Sequence, residues 1–171
     1  LLSLIVARQK QRPVRCCVTD AALGPSSCGF WRPTILLPRS LWEDFDQHSR
    51  RVILSHELEH IQRHDALLLF LSRIAIAVHW FNPLVYLITS RLRREIELAV
   101  DAATVASFDE QTRHQYGELL IQLSQYSQKP IAALPMAGKR SALRARIRQL
   151  TNPTRESRPR SALAICVLLL F

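Results

Sequence analysis

The chain has 171 residues, of which 48% are hydrophobic, and it carries four cysteines and a formal net charge of +9. This length fits one domain with a buried core, and apolar runs at both ends argue against a soluble secreted protein. No two cysteines form a CxxC pair, which argues against a cysteine zinc site and a disulfide framework.

Both apolar ends are bordered by basic residues. Residues 1–7 predict the end of a transmembrane helix and residues 161–171 the start of another, because each run is shorter than the roughly 20 residues of a full span. Between them we expect one domain over residues 8–150 and a polar linker over 151–160. Basic residues beside such segments place the domain on the cytoplasmic side of a bacterial-type inner membrane. Because the charge borders apolar ends, we expect no direct nucleic-acid binding.

The domain opens with short β-like runs. Residues 14–19 and 34–37 are separated by the turn-rich segment Gly24-Pro25-Ser26-Ser27, so the sequence predicts a small hairpin or sheet edge. The rest of the chain has helical periodicity. The predicted fold class is therefore α+β, mainly α, with a small N-terminal sheet.

The first predicted helix is long. Asp44 or Asp46 can cap it, and it is expected to run from about Ser49 past His64. Its apolar continuation over residues 66–78 is too short and too charged for a confident span, so we expect a buried or membrane-apposed helix.

Three more helices are predicted. Asn82 as N-cap and Pro83 at the first helical position begin one that reaches Ala106. The other two are expected from Asp109 or Thr112 to about Tyr126, and over the basic segment 139–150.

The most specific motif is an HExxH sequence, His56-Glu57-Leu58-Glu59-His60, within the first predicted helix. Side chains four residues apart project from one helix face, so His56 and His60 can share a metal ion. Glu57 lies where it can reach a water molecule beside that ion, as a general base must. The competing interpretation is a helix whose histidines are ordinary surface or cap residues.

A catalytic zinc ion keeps three protein ligands, so one more must be found. His64 lies about 12 Å along the helix axis from His56, too far for a shared coordination shell. The helix after Pro83 offers Glu97 and Asp101, one turn apart on one face. Glu97 can bind the metal, while Asp101 can accept a hydrogen bond from a ligand histidine. Both could instead be solvated helix acids, although their apolar neighbours indicate a buried face.

Together these features resemble the membrane-embedded zinc metallopeptidases of the BlaR/MecR type. The segments that carry the resemblance are GFWRPTILLP (29–38), ILSHELEHI (53–61), HWFNPLV (79–85), ELAVD (97–101) and YGELL (116–120). The family pattern implies a gluzincin-like helical core, with one zinc ion on His56, His60 and Glu97. It also implies Glu57 as general base, Asp101 behind a ligand histidine, and several membrane helices.

The resemblance implies a membrane-anchored endopeptidase with a cytoplasmic active site that acts in signal transduction. Its substrate would be a protein regulator, such as a transcriptional repressor, or the chain itself. A substrate could add as a strand along the edge near residues 30–37. His114 and Tyr116 are candidates to stabilise the transition state.

Two alternative functions stay open. One is a housekeeping membrane protease of the heat-shock or prenyl-protein-processing type, against which the segment Trp80-Phe81-Asn82-Pro83 argues. The other is a non-catalytic interaction module that keeps zinc for folding. Glu57 argues against this second alternative, since a purely structural site has no use for a general base.

Overall fold

The structure is a computed structural model that describes residues 14–20, 24–106, 108–126 and 136–151. The predicted membrane segments and most of the predicted linker lie outside the described residues. None of the helices within these ranges has the length and apolar character needed to cross a bilayer.

A three-stranded sheet opens the domain. Its strands are β1 (Arg15–Thr19), β2 (Ser26–Cys28) and β3 (Thr34–Pro38), in the order β1-β3-β2. β3 is the central strand. Its Ile35 and Leu37 side chains are almost fully buried and point into the core.

Of the two alternatives predicted for the first two β-like runs, the hairpin is wrong and the sheet edge is confirmed, since β1 lies at an edge of the sheet. β1 and β3 are neighbours but run parallel, and the antiparallel partner of β3 is β2, which the sequence predicted as part of a turn. Gly29 makes the β2–β3 turn possible: its φ is +84°, and a Cβ there would approach the Arg32 carbonyl oxygen to 2.7 Å.

Six helices follow in the described ranges: α1 (Arg39–Asp44), α2 (Gln47–Gln62), α3 (Asp65–Val78), α4 (Pro83–Val105), α5 (Glu110–Tyr126) and α6 (Met136–Thr151). The predicted α+β, mainly helical class is therefore confirmed. Local capping chemistry places several of the helix starts. The side chains of Asp46, Asn82 and Asp109 accept hydrogen bonds from backbone N–H groups at the starts of α2, α4 and α5.

The long first helix is in fact two helices. His64 adopts a left-handed backbone conformation, with φ 59° and ψ 33°, and α3 begins at the next residue, Asp65. Residues five apart in a continuous helix point about 140° away from each other. The break therefore lets Asp65 turn back toward His60, which an unbroken helix would not allow.

The main core lies between the sheet, helices α1, α2, α5 and α6, and the C-terminal end of α4. Its buried side chains are Ile35, Leu37, Leu41, Phe45, Val52, Ile53, Leu54, Val105, Tyr116, Leu119, Leu120 and Leu150. A smaller cluster, Leu92, Ile96 and Val100, packs α4 against α3. Between them, these two clusters hold α2 and α4 in the relative position that forms the site below.

Candidate metal centre

Helices α2 and α4 bring His56, His60 and Glu97 together. Nε2 of His56 lies 3.8 Å from one carboxylate oxygen of Glu97, and Nε2 of His60 lies 3.8 Å from the other. One ligand atom from each residue falls within 4.8 Å of the others. Ligand atoms around a tetrahedral zinc ion stand roughly 3.4 Å apart, so this donor set fits one zinc ion after a small closure.

A chain of hydrogen bonds orients His56. The Tyr116 hydroxyl donates to Asp101 Oδ1 at 2.5 Å and lies 2.9 Å from His56 Nδ1. Since the hydroxyl hydrogen goes to the carboxylate, the phenol oxygen is left to accept the Nδ1–H of His56. The Nε2 lone pair is then free to bind a metal. Burial, with the charges of Arg146 and His60, holds the pKa of His56 well below its usual value.

The sequence predicted a direct hydrogen bond from a ligand histidine to Asp101. The structure instead inserts the Tyr116 hydroxyl, and Asp101 Oδ1 stands 3.5 Å from His56 Nδ1. The aspartate is therefore placed behind His56, as expected, but acts through a third residue.

Asp65 orients the second histidine and was missed as a site residue. Its Oδ2 lies 2.9 Å from His60 Nδ1, and its side chain is buried. Burial opposes protonation of His60, yet the hydrogen bond to Asp65 and the charge of Glu97 leave the pKa raised. The spacing of five residues is not a helix-face spacing, so only the break at His64 makes this pair possible.

Arg146 joins the site from α6. Its Nε and Nη2 donate to the two carboxylate oxygens of Asp101 at 2.6 and 2.7 Å, and its Nη1 lies 3.1 Å from Glu97. Asp101 is 0% exposed, and a buried carboxylate is costly unless it is paired. In the sequence Arg146 looks like the other arginines of a basic segment, which is why it was not singled out.

Glu57 lies beside the three candidate ligands. Its side chain is buried and hydrogen-bonded to Ser27 of β2. Burial and the nearby charge of Glu97 outweigh the opposing effects of His60 and Ser27, and raise its pKa to about 7. A carboxylate with a pKa near neutrality is suited to accept and return a proton.

These groups line a cavity of about 400 Å³. β2, with Ser26 and Ser27, forms one of its walls, and α2, α3, α4, α5 and Arg146 contribute the others. β3 is paired on both sides, so among the described strands β2 is the sheet edge beside this cavity. The position predicted for an added substrate strand, near residues 30–37, is therefore wrong.

The structure brings only one of the two predicted transition-state stabilisers to the cavity. Tyr116 lines it, but the hydroxyl is already engaged by His56 and Asp101. The His114 side chain is 80% exposed, faces Glu118 at 3.7 Å and lies outside the cavity lining.

An HExxH helix joined by a glutamate from a second helix defines a metallopeptidase type of site. Comparison with known proteins gives the family. Residues 2–150 match the family described as BlaR1 peptidase M56, and the chain belongs to that family. Its predicted resemblance is thus confirmed, and the family implies a metal ion and a peptidase activity.

Two relatives illustrate the similarity. The chain is 30% identical over 110 residues to "Regulatory protein BlaR1" of Bacillus licheniformis, covering 64% of this chain and 18% of that protein. It is 24% identical over 129 residues to "Methicillin resistance mecR1 protein" of Staphylococcus aureus, covering 74% of this chain and 22% of that protein. The chain therefore spans about a fifth of the length of these relatives.

Proposed function

We propose that this chain is the catalytic domain of a membrane-associated, zinc-dependent endopeptidase that acts in signal transduction. The observation that carries the proposal is the position of Glu57, whose buried carboxyl group is hydrogen-bonded to Ser27 of β2. It lines the same cavity as His56, His60 and Glu97. A site needed only for folding would have no reason to keep such a group beside the metal ligands.

In this proposal Nε2 of His56, Nε2 of His60 and the carboxylate of Glu97 hold the zinc ion. A zinc ion there supplies Lewis-acid chemistry, since it polarises a peptide carbonyl and makes water more acidic. Glu57 takes the proton of the attacking water and later delivers it to the leaving amine. Arg146 holds Glu97 and Asp101 in place through its three short contacts.

The substrate is a polypeptide in an extended conformation. Among the described strands, β2 is the sheet edge that borders the cavity, and an added strand there would place successive backbone carbonyls past the metal centre. The names of the relatives, a regulatory protein and a resistance protein, support a substrate that is itself a regulator. A transcriptional repressor, or the chain itself, is the proposed target.

Membrane association is supported by an exposed aromatic face at the α3–α4 turn. Trp80 and Phe81 are each 70% exposed, and Leu84 follows at 57%. Trp, Phe and Leu side chains are typical of the apolar face that a helix at the membrane surface buries at the level of the lipid headgroups. We place this face against the cytoplasmic surface of the inner membrane.

The experiment that tests the function compares wild type with Glu57→Gln, using Glu59→Gln of the same helix as matched control. Zinc content and cleavage of a denatured general substrate are measured in detergent. We expect zinc in all three proteins and a loss of activity of about 10²–10⁴-fold in Glu57→Gln alone.

Other outcomes would decide against the proposal. Zinc in all three proteins without activity in any would favour a non-catalytic interaction module. Wild-type protein that binds no zinc would contradict the ligand assignment itself.

A further inference from the structure

A second cavity, of about 530 Å³, continues the metal cavity along α3 and α4. The two cavities share Ser27, Ala66, Leu69 and Glu97 in their walls. The second is therefore an extension of the same cleft, and a polypeptide that reaches the metal centre can also occupy it.

Two arginines line this extension. Arg73 lies on α3, seven residues beyond Ala66, and these two positions fall on one face of the helix. Arg93 lies on α4, one turn before Glu97 and on the same face. One end of the cleft extension thus carries the candidate metal ligand, and the other carries two guanidinium groups.

Neither guanidinium has a counterion in the part of the chain that the structure describes. No carboxylate of those ranges lies within 4 Å of Arg73 or Arg93. Glu97 lines the same cavity, but it forms its ion pair with Arg146, at 3.1 Å. Burial and the positive charge of Arg73 lower the pKa of Arg93, as expected when two like charges share one cavity.

The remaining walls are apolar. Phe30, Phe70 and Ile96 contribute side chains, and the rings of the first two contact each other at a centroid distance of 5.4 Å with their planes tilted by 55°. Both arginines are exposed overall, so their guanidinium groups can reach a carboxylate that enters the extension, and the two positive charges together attract it. Guanidinium groups also present paired donors that match a carboxylate.

We propose that this extension is a substrate subsite that selects an acidic residue, with Arg73 and Arg93 binding its side-chain carboxylate. The inference rests on the proposed peptidase function and names the substrate class of that same cleft. Arg93 lies about 6 Å along the helix axis from Glu97, roughly the length of two extended residues. The acidic residue is therefore expected two or three positions from the scissile bond.

The first test uses the zinc-loaded chain and matched peptides that carry Glu, Gln or Lys at each position within four residues of the cleaved bond. We expect kcat/KM to be at least about tenfold higher for Glu than for Gln at one such position. Arg73→Gln/Arg93→Gln should remove this preference, so that the double variant cleaves the Glu and Gln peptides with equal kcat/KM. Arg94→Gln, an exposed neighbour outside the cavity lining, is the matched control and should keep it.

A second measurement does not depend on catalysis. Zinc-loaded Glu57→Gln should bind a fluorescent Glu peptide more tightly than its Gln counterpart, and adding the two arginine substitutions should abolish the difference. Amidated peptides separate a side-chain carboxylate from a C-terminal one, since only the former is expected to matter.

The outcomes separate the two proposals. A wild type that cleaves peptides without an acidic preference, or a double variant that retains it, would overturn the subsite and leave the peptidase intact. A wild type that cleaves nothing would count against the peptidase, and the binding measurement would still decide the subsite. Loss of binding to anionic vesicles in the double variant, with peptide preference unchanged, would assign the arginines to lipid headgroups instead.

Discussion

The two histidines of the metal centre are oriented by regions of different construction. His60 is oriented by Asp65, five residues away across a helix break. His56 is oriented by Tyr116, Asp101 and Arg146, which come from three other helices. The first support is local and assembles with α2 and α3, whereas the second exists only when α4, α5 and α6 have packed around α2. Both histidine rings are therefore held in place by hydrogen bonds, but the orientation of His56 depends on the packing of more helices than that of His60.

The largest effect that tests this comparison is expected for Asp101→Asn. The substitution leaves the buried Arg146 guanidinium without its main partner and removes the acceptor behind Tyr116. We expect the free energy of unfolding to fall by about 3 kcal/mol. Urea denaturation of the metal-free protein measures this change. A change below about 1 kcal/mol would mean that Tyr116, Asp101 and Arg146 do not stabilise the fold together.

Glu57 adds a third buried group to the comparison, and its hydrogen-bond partner is the uncharged Ser27 of β2. Its folded pKa of about 7 lies above the ordinary 4.5, so the folded state binds its proton more tightly. Its stabilising contribution is complete below about pH 4.5 and is lost as the pH rises through 7.

Glu57→Gln should therefore raise the free energy of unfolding of the metal-free protein at pH 8, by about 2–3 kcal/mol. The gain should disappear near pH 4. Urea denaturation at both pH values measures it, with Glu59→Gln as the control. A loss of stability at pH 8 would contradict the assignment.

Asp65→Asn tests the local support. We expect a smaller loss of stability than for Asp101→Asn, about 1–2 kcal/mol, because one hydrogen bond to His60 is weakened and the ion pair with Arg63 that is also lost is a longer contact, at 3.8 Å. Zinc affinity, measured by competition with a chelator, should nevertheless fall by about 10- to 100-fold in both variants. Equal stability losses would remove the distinction between the two regions.

Tyr116→Phe removes only the hydroxyl that links His56 to Asp101. We expect stability to fall by about 1 kcal/mol and zinc affinity by about tenfold, since the Arg146–Asp101 pair stays intact. The same unfolding and competition assays apply. A variant with wild-type zinc affinity would show that Asp101 orients His56 without the phenol.

Trp80→Ser/Phe81→Ser is expected to affect neither region, because both side chains are exposed at the α3–α4 turn. The free energy of zinc binding and the free energy of unfolding should each stay within about 0.5 kcal/mol of the wild-type value. Binding to lipid vesicles, measured by sedimentation, should fall. Unchanged vesicle binding would argue that this face does not contact the membrane.

Local features of the site could be read from the sequence. The pairing of His56 with His60 follows from a spacing of four residues, and the capping of α4 follows from Asn82 and Pro83. Glu97 and Asp101 are also one turn apart, so their shared face was predictable. Each of these rests on the geometry of a single helix.

Other features could not be read this way. The position of Asp65 depends on the left-handed backbone of His64, which the apolar periodicity of residues 66–78 does not signal. The short strand β2 was hidden because Pro25, Ser26 and Ser27 are typical of turns, and only pairing with β3 makes the segment a strand.

The sequence by itself determined most of the helices, although not α1 or the break at His64. It also determined the two motifs that face each other across the metal centre, because helix periodicity is local. Only the tertiary structure decided which strand borders the cleft and which side chains orient the two histidines. The tertiary structure also decided which arginine of the basic segment pairs with Asp101: it is Arg146, 45 residues away in the sequence. The physical reason is that a buried ion pair depends on which elements pack together, and that is a property of the whole core.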